Sequence, residues 1–270
     1  MGIKPLGGRT LKVLSKKDIQ MINETALAIL KDPGFKVQHE EALSLFQQAG
    51  ADVDFKKQMV HIPKSLVEES LNSAPRFITV CGREPEYDFK SFNGVHYSGG
   101  HGATFIMDIE TGKRRAAVKK DLENNVLIHD ALENSHMIYP EIYPQDVPEK
   151  ALDRHISQAL LSNTLKPVIA TAYNGAGARD LIEMGIAIAG SSEALKKRPM
   201  FTCSFGMISP FVFEPARIDA LMEMCRFGIP FQIYTIPGAG TSAPVTLAAT
   251  LALSVAELLA GLVLTQIVYP

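Results

Sequence analysis

Apolar positions along this chain follow three successive patterns. Over residues 14–73 they recur at helical spacing. Ile19, Ile22, Ala26, Ile29 and Leu30 make one face of a helix that opens at Leu14-Ser15-Lys16-Lys17-Asp18. Ser15 and Asp18 form a variant capping box, with Asp where Glu or Gln is usual, and Leu14 and Ile19 suit the hydrophobic staple across it. Asp32-Pro33-Gly34 ends this helix. A second is predicted over about Glu40–Ala49, stopped by Gly50, and a third over Lys64–Ser73 after Pro63. From residue 77 the runs shorten and turn β-favouring: Phe77–Cys81, Tyr87–Phe89, Val95–Tyr97 and Thr104–Ile109, with Glu110-Thr111-Gly112-Lys113 as a hairpin turn. Residues 1–116 are thus expected to form an N-terminal α+β extension of three helices and a small antiparallel sheet.

From Val118 onward helix and strand alternate. Helix Val118–Leu132 leads to strand Met137–Tyr139, Glu149–Ser162 to Val168–Thr171, Ala178–Ala189 to Met200–Ser204, and Pro215–Phe227 to Phe231–Thr235. Pro167, Pro199 and Pro230 each stand just before an apolar strand, at spacings of 32 and 31 residues. Alternating elements at a fixed period signal a βα repeat, and Pro is tolerated at a strand start because no ladder hydrogen bond is owed there. Four units do not close an eight-stranded barrel, whose usual size is ~250 residues. The prediction is therefore an α/β fold. Residues 117–270 would hold about the first four βα units of an incomplete TIM (β/α)8 barrel, cut at the start of strand five. A four-stranded doubly wound sheet is the competing fold, and it leaves the apolar C-terminal helix unexplained.

That helix belongs to the stretch Phe231–Ala260, a strand, a small-residue turn at Ile236–Ser242 and a helix starting near Pro244. Thr246, Thr250, Ser254, Glu257 and Gly261 share one narrow wedge, while alanine and leucine stripes cover most of the rest. A helix this apolar is buried on most sides, so later barrel units and a partner subunit are expected to cover it. Leu247–Leu264 is also long enough to weigh as a membrane span. Glu257 at its middle and the absence of a basic flank favour a buried soluble helix instead.

Composition narrows the function classes. With 46% hydrophobic and 21% charged residues the chain has ample material for a core. A formal net charge of −2 gives no support to nucleic acid as a partner. Cys81, Cys203 and Cys225 are too few and too scattered for a disulfide framework or a zinc ribbon, so a reducing cytoplasm is the simple inference. Residues 1–10 lack the apolar run of a signal peptide.

A barrel puts its chemistry at the strands' carboxyl ends. After the four strands stand Tyr139, Glu141, Tyr143, Gln145 and Asp146; Thr171, Tyr173 and Asn174; Phe205, Met207, Ser209 and Phe211; and Tyr234, Thr235, Gly240, Thr241 and Ser242. The set is rich in aromatics and poor in ions. It holds no His–Cys cluster, no His-Glu-x-x-His and no strand-end Lys for a Schiff base, and no bound metal or nucleotide is predicted. An aromatic cup with one or two carboxylates suits a quaternary ammonium, which binds by cation–π contact and cannot donate a hydrogen bond. Any one of these aromatics can equally fill the core, and Asp146 can equally cap a helix before Pro148. Gly99-Gly100-His101-Gly102 is not a P-loop, since no Gly-Lys-Ser/Thr follows; it reads either as a strand turn or as a loop closing over a site. Glu257 reads as a buried acid bonded to the hydroxyls of its wedge, as a subunit contact or as a group near the site. Gly238-Ala239-Gly240 before a helix could cradle an anion.

Several segments carry a resemblance. They include Leu14-Ser15, Glu41-Ala42-Leu43, Ala49-Gly50-Ala51, Ile62-Pro63, Asp108-Ile109-Glu110-Thr111-Gly112, Gln145-Asp146-Val147-Pro148, Asn163-Thr164 with Lys166-Pro167, Gly238–Ala248, and Ala256-Glu257-Leu258-Leu259-Ala260-Gly261. In this order, over nearly the whole chain, they resemble the trimethylamine methyltransferase superfamily, most of all its non-pyrrolysine, glycine-betaine-type members. The resemblance implies a TIM barrel with an N-terminal α+β extension. It implies transfer of a methyl group from a methylated amine, such as glycine betaine or trimethylamine, to the Co(I) of a separate corrinoid protein, in a cytoplasmic enzyme expected to be a homo-oligomer. Family members run past this C-terminus, where the pyrrolysine of the pyrrolysine enzymes lies and where catalytic residues are expected. On that basis Tyr143, Tyr173, Phe205, Phe211 and Tyr234 are assigned to the ammonium cup, Asp146 to electrostatic attraction, and Gly240 and Thr241 to the turn that shapes its floor. The alternatives are another TIM-barrel enzyme of aldolase or decarboxylase type, or a truncated product without catalysis of its own.

Overall fold

The computed structural model describes residues 12–270. In chain order the elements begin with α1 (Lys16–Lys31), β1 (Phe35–Val37), α2 (Glu40–Gln48), β2 (Asp52–Asp54), β3 (Met59–His61) and α3 (Lys64–Ser73). Then come β4 (Thr79–Val80), β5 (Phe89–Lys90), β6 (Phe105–Met107), β7 (Arg114–Ala116), α4 (Lys119–Ala131), α5 (Leu152–Asn163), β8 (Val168–Ala170), α6 (Gly175–Ala189) and α7 (Ser192–Lys197). The chain closes with β9 (Phe201–Gly206), β10 (Val212–Phe213), α8 (Pro215–Phe227), β11 (Phe231–Tyr234) and α9 (Leu247–Val268). The fold is mixed α/β with several small sheets, and the described strands do not close a barrel.

These residues form two compact units. The first holds Phe77–Ser204 and Phe227–Phe231. Here Ile138 bridges Val168 in parallel, and β8 runs parallel to β9 with Val168 opposite Phe201 and Ala170 opposite Cys203. Helices cross between these segments, and Phe201, Leu160, Leu181 and Leu195 are fully or nearly fully buried in the layer they form. The sheet order is β11-β9-β8, and the bonds Cys203 N–H to Pro230 C=O and Met207 N–H to Tyr234 C=O advance together along both chains. The strands therefore lie side by side in sequence order and run one way. A doubly wound sheet reverses its order at a switch point; no reversal occurs among these strands. Of the short β runs expected before residue 116, the hairpin forms as predicted, with Met107 opposite Arg114 and Gly112 at φ +64°. The others do not join it: β4 and β5 make a separate two-stranded sheet.

The second unit holds residues 12–76, Phe205–Arg226 and Gln232–Pro270. Ser15 and Asp18 form the capping box of α1, and α3 has its predicted bounds. One sheet went unforeseen, ordered β10-β1-β3-β2, with β1 parallel to β10 and antiparallel to β3. Its strands are two or three residues long, too short to show a period, and they are fixed by packing. Phe35 stands edge-on to Phe46 at 5.4 Å and to Phe213 at 5.3 Å.

α9 starts at Leu247, three residues after the predicted position, and the cover expected from elsewhere is partly within the unit: α1, α3 and α2 pack along it. Its apolar face thus answers the apolar faces of the N-terminal helices. Leu247, Leu251 and Leu258 remain exposed. Among the described residues α9 is also the helix long and apolar enough to cross a membrane. All three cysteines are buried, and none forms a disulfide. Burial pushes the Cys81 thiol up to about 11 and the Cys225 thiol up to about 12, which makes both poor nucleophiles.

Candidate functional site

In the first unit a polar and aromatic cluster stands at the carboxyl end of the strand segment at Met137–Ile138. The Gly99–Gly102 segment lies along that end. Ser98 bridges Met137 and Ala103 bridges Ile142, both in parallel, and Gly102 and Ala103 donate N–H bonds to the Pro140 and Glu141 carbonyls at 3.0 and 2.7 Å. It is therefore a loop packed against a strand end and not a simple hairpin turn. Gly99 has a steric reason: a Cβ there would collide with the Glu141 carboxylate.

Glu141 is the centre of the cluster. It accepts hydrogen bonds from the Gly100 N–H, from Asn125 Nδ2 at 2.6 Å and from His129 Nε2 at 3.1 Å. His129 Nδ1 lies 2.8 Å from Ser135 Oγ; with Nε2 donating to the carboxylate, Nδ1 is the acceptor of the serine hydroxyl. Asn125 and His129 are four residues apart on α4, so one face of that helix presents both. Burial alone would raise the Glu141 carboxyl. The bonds from Asn125, Gly100 and His129 outweigh it and hold the group below its usual range.

Beside this acid stand three rings. His101 Nε2 is 3.2 Å from the Tyr143 hydroxyl, and its ring meets Tyr143 and Tyr139 edge-on at 5.4 and 6.0 Å. Burial lowers the His101 pKa, which favours the neutral imidazole. Tyr173, also half-buried, follows β8. Its N–H donates to Oδ2 of the buried Asp153 on α5 at 3.0 Å, and the next residue, Asn174, caps α6 through the Gly177 N–H at 2.8 Å. Thr171, just after β8, and Ser204, within β9, pair their buried hydroxyls at 3.3 Å. Asp146 is exposed, and its Oδ1 accepts the Lys119 N–H at 2.8 Å. It does cap a helix, but the helix is α4 and not the one after Pro148.

The remaining predicted residues belong to the second unit. Phe205 is buried and lines a small apolar cavity with Met207, Phe213, Ile218, Leu221 and Ile233. Tyr234 is half-buried and lies over Gly206, where a Cβ would come within 2.7 Å of the ring. Phe211 is half-buried, at the tip of a tight loop closed by two Ile208–Val212 backbone bonds of 3.2 and 2.9 Å. Gly240 (φ +78°) and Thr241 are exposed in a self-bonded turn. The N–H groups of Gly238, Gly240, Thr241 and Ala243 are all taken by Ser242 Oγ or by carbonyls within the turn. None of those four is left over for the anion that the sequence suggested.

Glu257 also departs from expectation. It is buried, at 1% exposure, but it does not bond the hydroxyls of its own wedge. Two of them have partners off the wedge: Thr250 donates to the Pro244 carbonyl at 2.9 Å and Ser254 pairs with Thr235 at 3.0 Å. Glu257 instead takes Ser209 Oγ at 2.8 Å and the Phe211 N–H at 3.0 Å. The wedge is a true face, turned toward β11 and the loop after β9. Among the described residues no three His, Cys, Asp or Glu side chains stand close enough to hold a metal ion.

Sequence reasoning placed Glu141 among the strand-end residues but chose Asp146 as the acid of the site. The i,i+4 pair Asn125 and His129 was the signal in favour of Glu141. Asp153 left no local sign, because its partner lies 20 residues on.

Against known proteins, the family model for trimethylamine methyltransferase (MTTB) matches residues 6–270. A trimethylamine methyltransferase of Desulfitobacterium hafniense is 29% identical over 98% of this chain and 54% of its own length. A glycine betaine methyltransferase of the same species is 28% identical over 96% of this chain and 54% of its own. A trimethylamine methyltransferase of Methanosarcina barkeri is 28% identical over the whole of this chain and 56% of its own. The chain thus spans about half the length of these relatives.

Proposed function

We propose, from the premise that this chain belongs to the trimethylamine methyltransferase family, that it forms part of an enzyme taking a methyl group from a methylated amine of the glycine betaine or trimethylamine class. The acceptor is the Co(I) of a separate corrinoid protein, a substrate of the reaction. The methyl carbon is attacked by the metal's electron pair, the C–N bond breaks, and the nitrogen leaves with its bonding pair as the less methylated amine. Such a transfer asks the protein to bind an N-methyl cation, to aim one methyl outward and to exclude water.

The observation that carries this proposal is the aromatic strand end. Tyr139, Tyr143 and His101 are gathered beside a carboxylate that its hydrogen bonds favour in the charged form. Half-buried Tyr173 is assigned to the same cup, with Asp146 as a long-range charge; Phe205, Phe211, Tyr234, Gly240 and Thr241 of the second unit are assigned to ammonium binding on the sequence pattern at the strand ends. We further assign residues 117–270 to the first half of a TIM barrel following an N-terminal extension over 1–116. The unreversed parallel order of four strand segments supports this. A cytoplasmic homo-oligomer that docks the corrinoid protein at the barrel mouth completes the proposal. Aldolase-type chemistry lacks support here. The buried Lys166 gives Nζ to the His129 and Leu132 carbonyls at 2.8 and 2.7 Å, just before β8 rather than at its carboxyl end.

Binding of glycine betaine and of trimethylamine, followed by cobalamin methylation, tests the proposal. Tyr143→Ala with Tyr173→Ala should weaken binding about tenfold or more, ~1.4 kcal/mol. Unchanged affinity would remove the cup.

A further inference from the structure

We infer that Glu257 is a positioning residue for the site: its carboxyl group holds the Ser209–Phe211 tip and so sets where the Phe211 ring stands against a bound methylammonium group. The inference rests on the ammonium-cup proposal above. An acid in the middle of an apolar helix is costly to bury unless its oxygens find donors. Both oxygens of Glu257 find them on one tip, Oε2 at Ser209 Oγ and Oε1 at the Phe211 N–H, 2.8 and 3.0 Å away. On its other side the Phe211 carbonyl accepts the Lys36 N–H at 2.9 Å. The Phe211 backbone is thus bonded on both sides while held at φ +57°, a region that bulky side chains rarely enter. Strain of this kind persists where the surroundings over-determine it, and it collects at ligand sites. Both carboxylate oxygens are committed to that single aromatic tip.

A double-mutant cycle on Glu257→Gln and Phe211→Ala in the full chain tests this. Gln keeps the volume but has one acceptor oxygen for two donors. The readouts are amide hydrogen exchange over residues 208–213, affinity for glycine betaine and trimethylamine by calorimetry, and thermal unfolding as a control for the fold. Glu257→Gln should speed exchange at the Phe211 amide about tenfold or more and weaken ligand binding about tenfold. Phe211→Ala should weaken binding similarly, and the double variant should bind no worse than Phe211→Ala alone. Additive losses, or unchanged exchange, overturn the inference. Should Glu257→Gln fail to fold, Ser209→Ala removes one of the two bonds and should give an intermediate loss that vanishes in the Phe211→Ala background; a loss that persists there overturns it equally. Wild-type protein that binds neither ligand sinks the cup itself, before any variant is made. Binding that falls in Tyr143→Ala and Tyr173→Ala but not in Glu257→Gln sinks the positioning role alone.

Discussion

Glu141 and Glu257 each give an oxygen to a backbone N–H of a loop, Gly100 in the first unit and Phe211 in the second. They accommodate that contact in opposite ways. Glu141 keeps 24% of its side chain exposed and draws its other donors, Asn125 and His129, from a neighbouring helix. Its loop adapts by composition, since a Cβ at residue 99 would collide with the carboxylate as it stands. Glu257 is 1% exposed and takes both donors from the loop itself. That loop keeps its aromatic residue and adapts by backbone, with Phe211 in the left-handed region. Water can stand in for a lost partner at the first acid but not at the second, so equivalent substitutions should cost different amounts.

The largest expected effect is at the buried acid. Glu257→Ala strands the Phe211 N–H and the Ser209 hydroxyl and leaves a cavity, which should lower unfolding stability by roughly 2–5 kcal/mol. Denaturant titration measures it, and a loss below ~1 kcal/mol would mean that solvent reaches the site. Next comes Gly99→Ala, which drives a methyl into the Glu141 carboxylate and should cost about 1–3 kcal/mol. Gly100→Ala is its control, because a Cβ there would lie 3.6 Å from Glu141 Oε1, an ordinary contact; the two variants should differ clearly in melting temperature.

A pH profile tests the first acid. The folded-state pKa of Glu141 lies below its ordinary value of 4.5. The stability it contributes is therefore present above that value and is lost as pH falls through the lowered folded pKa. Glu141→Gln should lower stability at neutral pH and flatten the curve below about pH 4.5, so that variant and wild type converge in acid. A slope unchanged in the variant would show that another carboxylate sets it. The smallest effect is expected at Asp146. Asp146→Ala removes an exposed cap from α4 and should cost about 0.5–1 kcal/mol. If its charge also draws the ammonium, betaine affinity falls as well and the loss shrinks with added salt; affinity unchanged at every salt concentration would leave Asp146 a cap only.

The comparison also shows where sequence reasoning stops. Both acids were visible as candidates, Glu141 at a strand end and Glu257 in a polar wedge. Their partners were not. Asn125 and His129 lie 16 and 12 residues before Glu141, and Ser209 and Phe211 lie 48 and 46 before Glu257. Asp146 drew attention because it follows a strand and precedes a proline, both local features. Its actual partner, the Lys119 N–H, is 27 residues away. The Gly99–Gly102 loop left two alternatives open, and the carbonyls of Pro140 and Glu141 decide between them.

By itself the sequence determined what neighbours in the chain can enforce. The capping box of α1 closes over three residues, α3 and α8 keep their predicted bounds, and the prolines before β8, β9 and β11 mark strands found where the period put them. Helical and βα periodicities record burial on one face, so they survive without knowledge of what lies opposite. Tertiary structure alone decided the opposite side: that α1, α2 and α3 lie along α9, that β1 pairs with β10, and that Glu257 turns to a loop and not to its own helix. Phe35 and Phe213 touch across 178 residues. Contacts of that range depend on how apolar faces are paired, and a pattern that says only which positions are apolar is the same for every pairing.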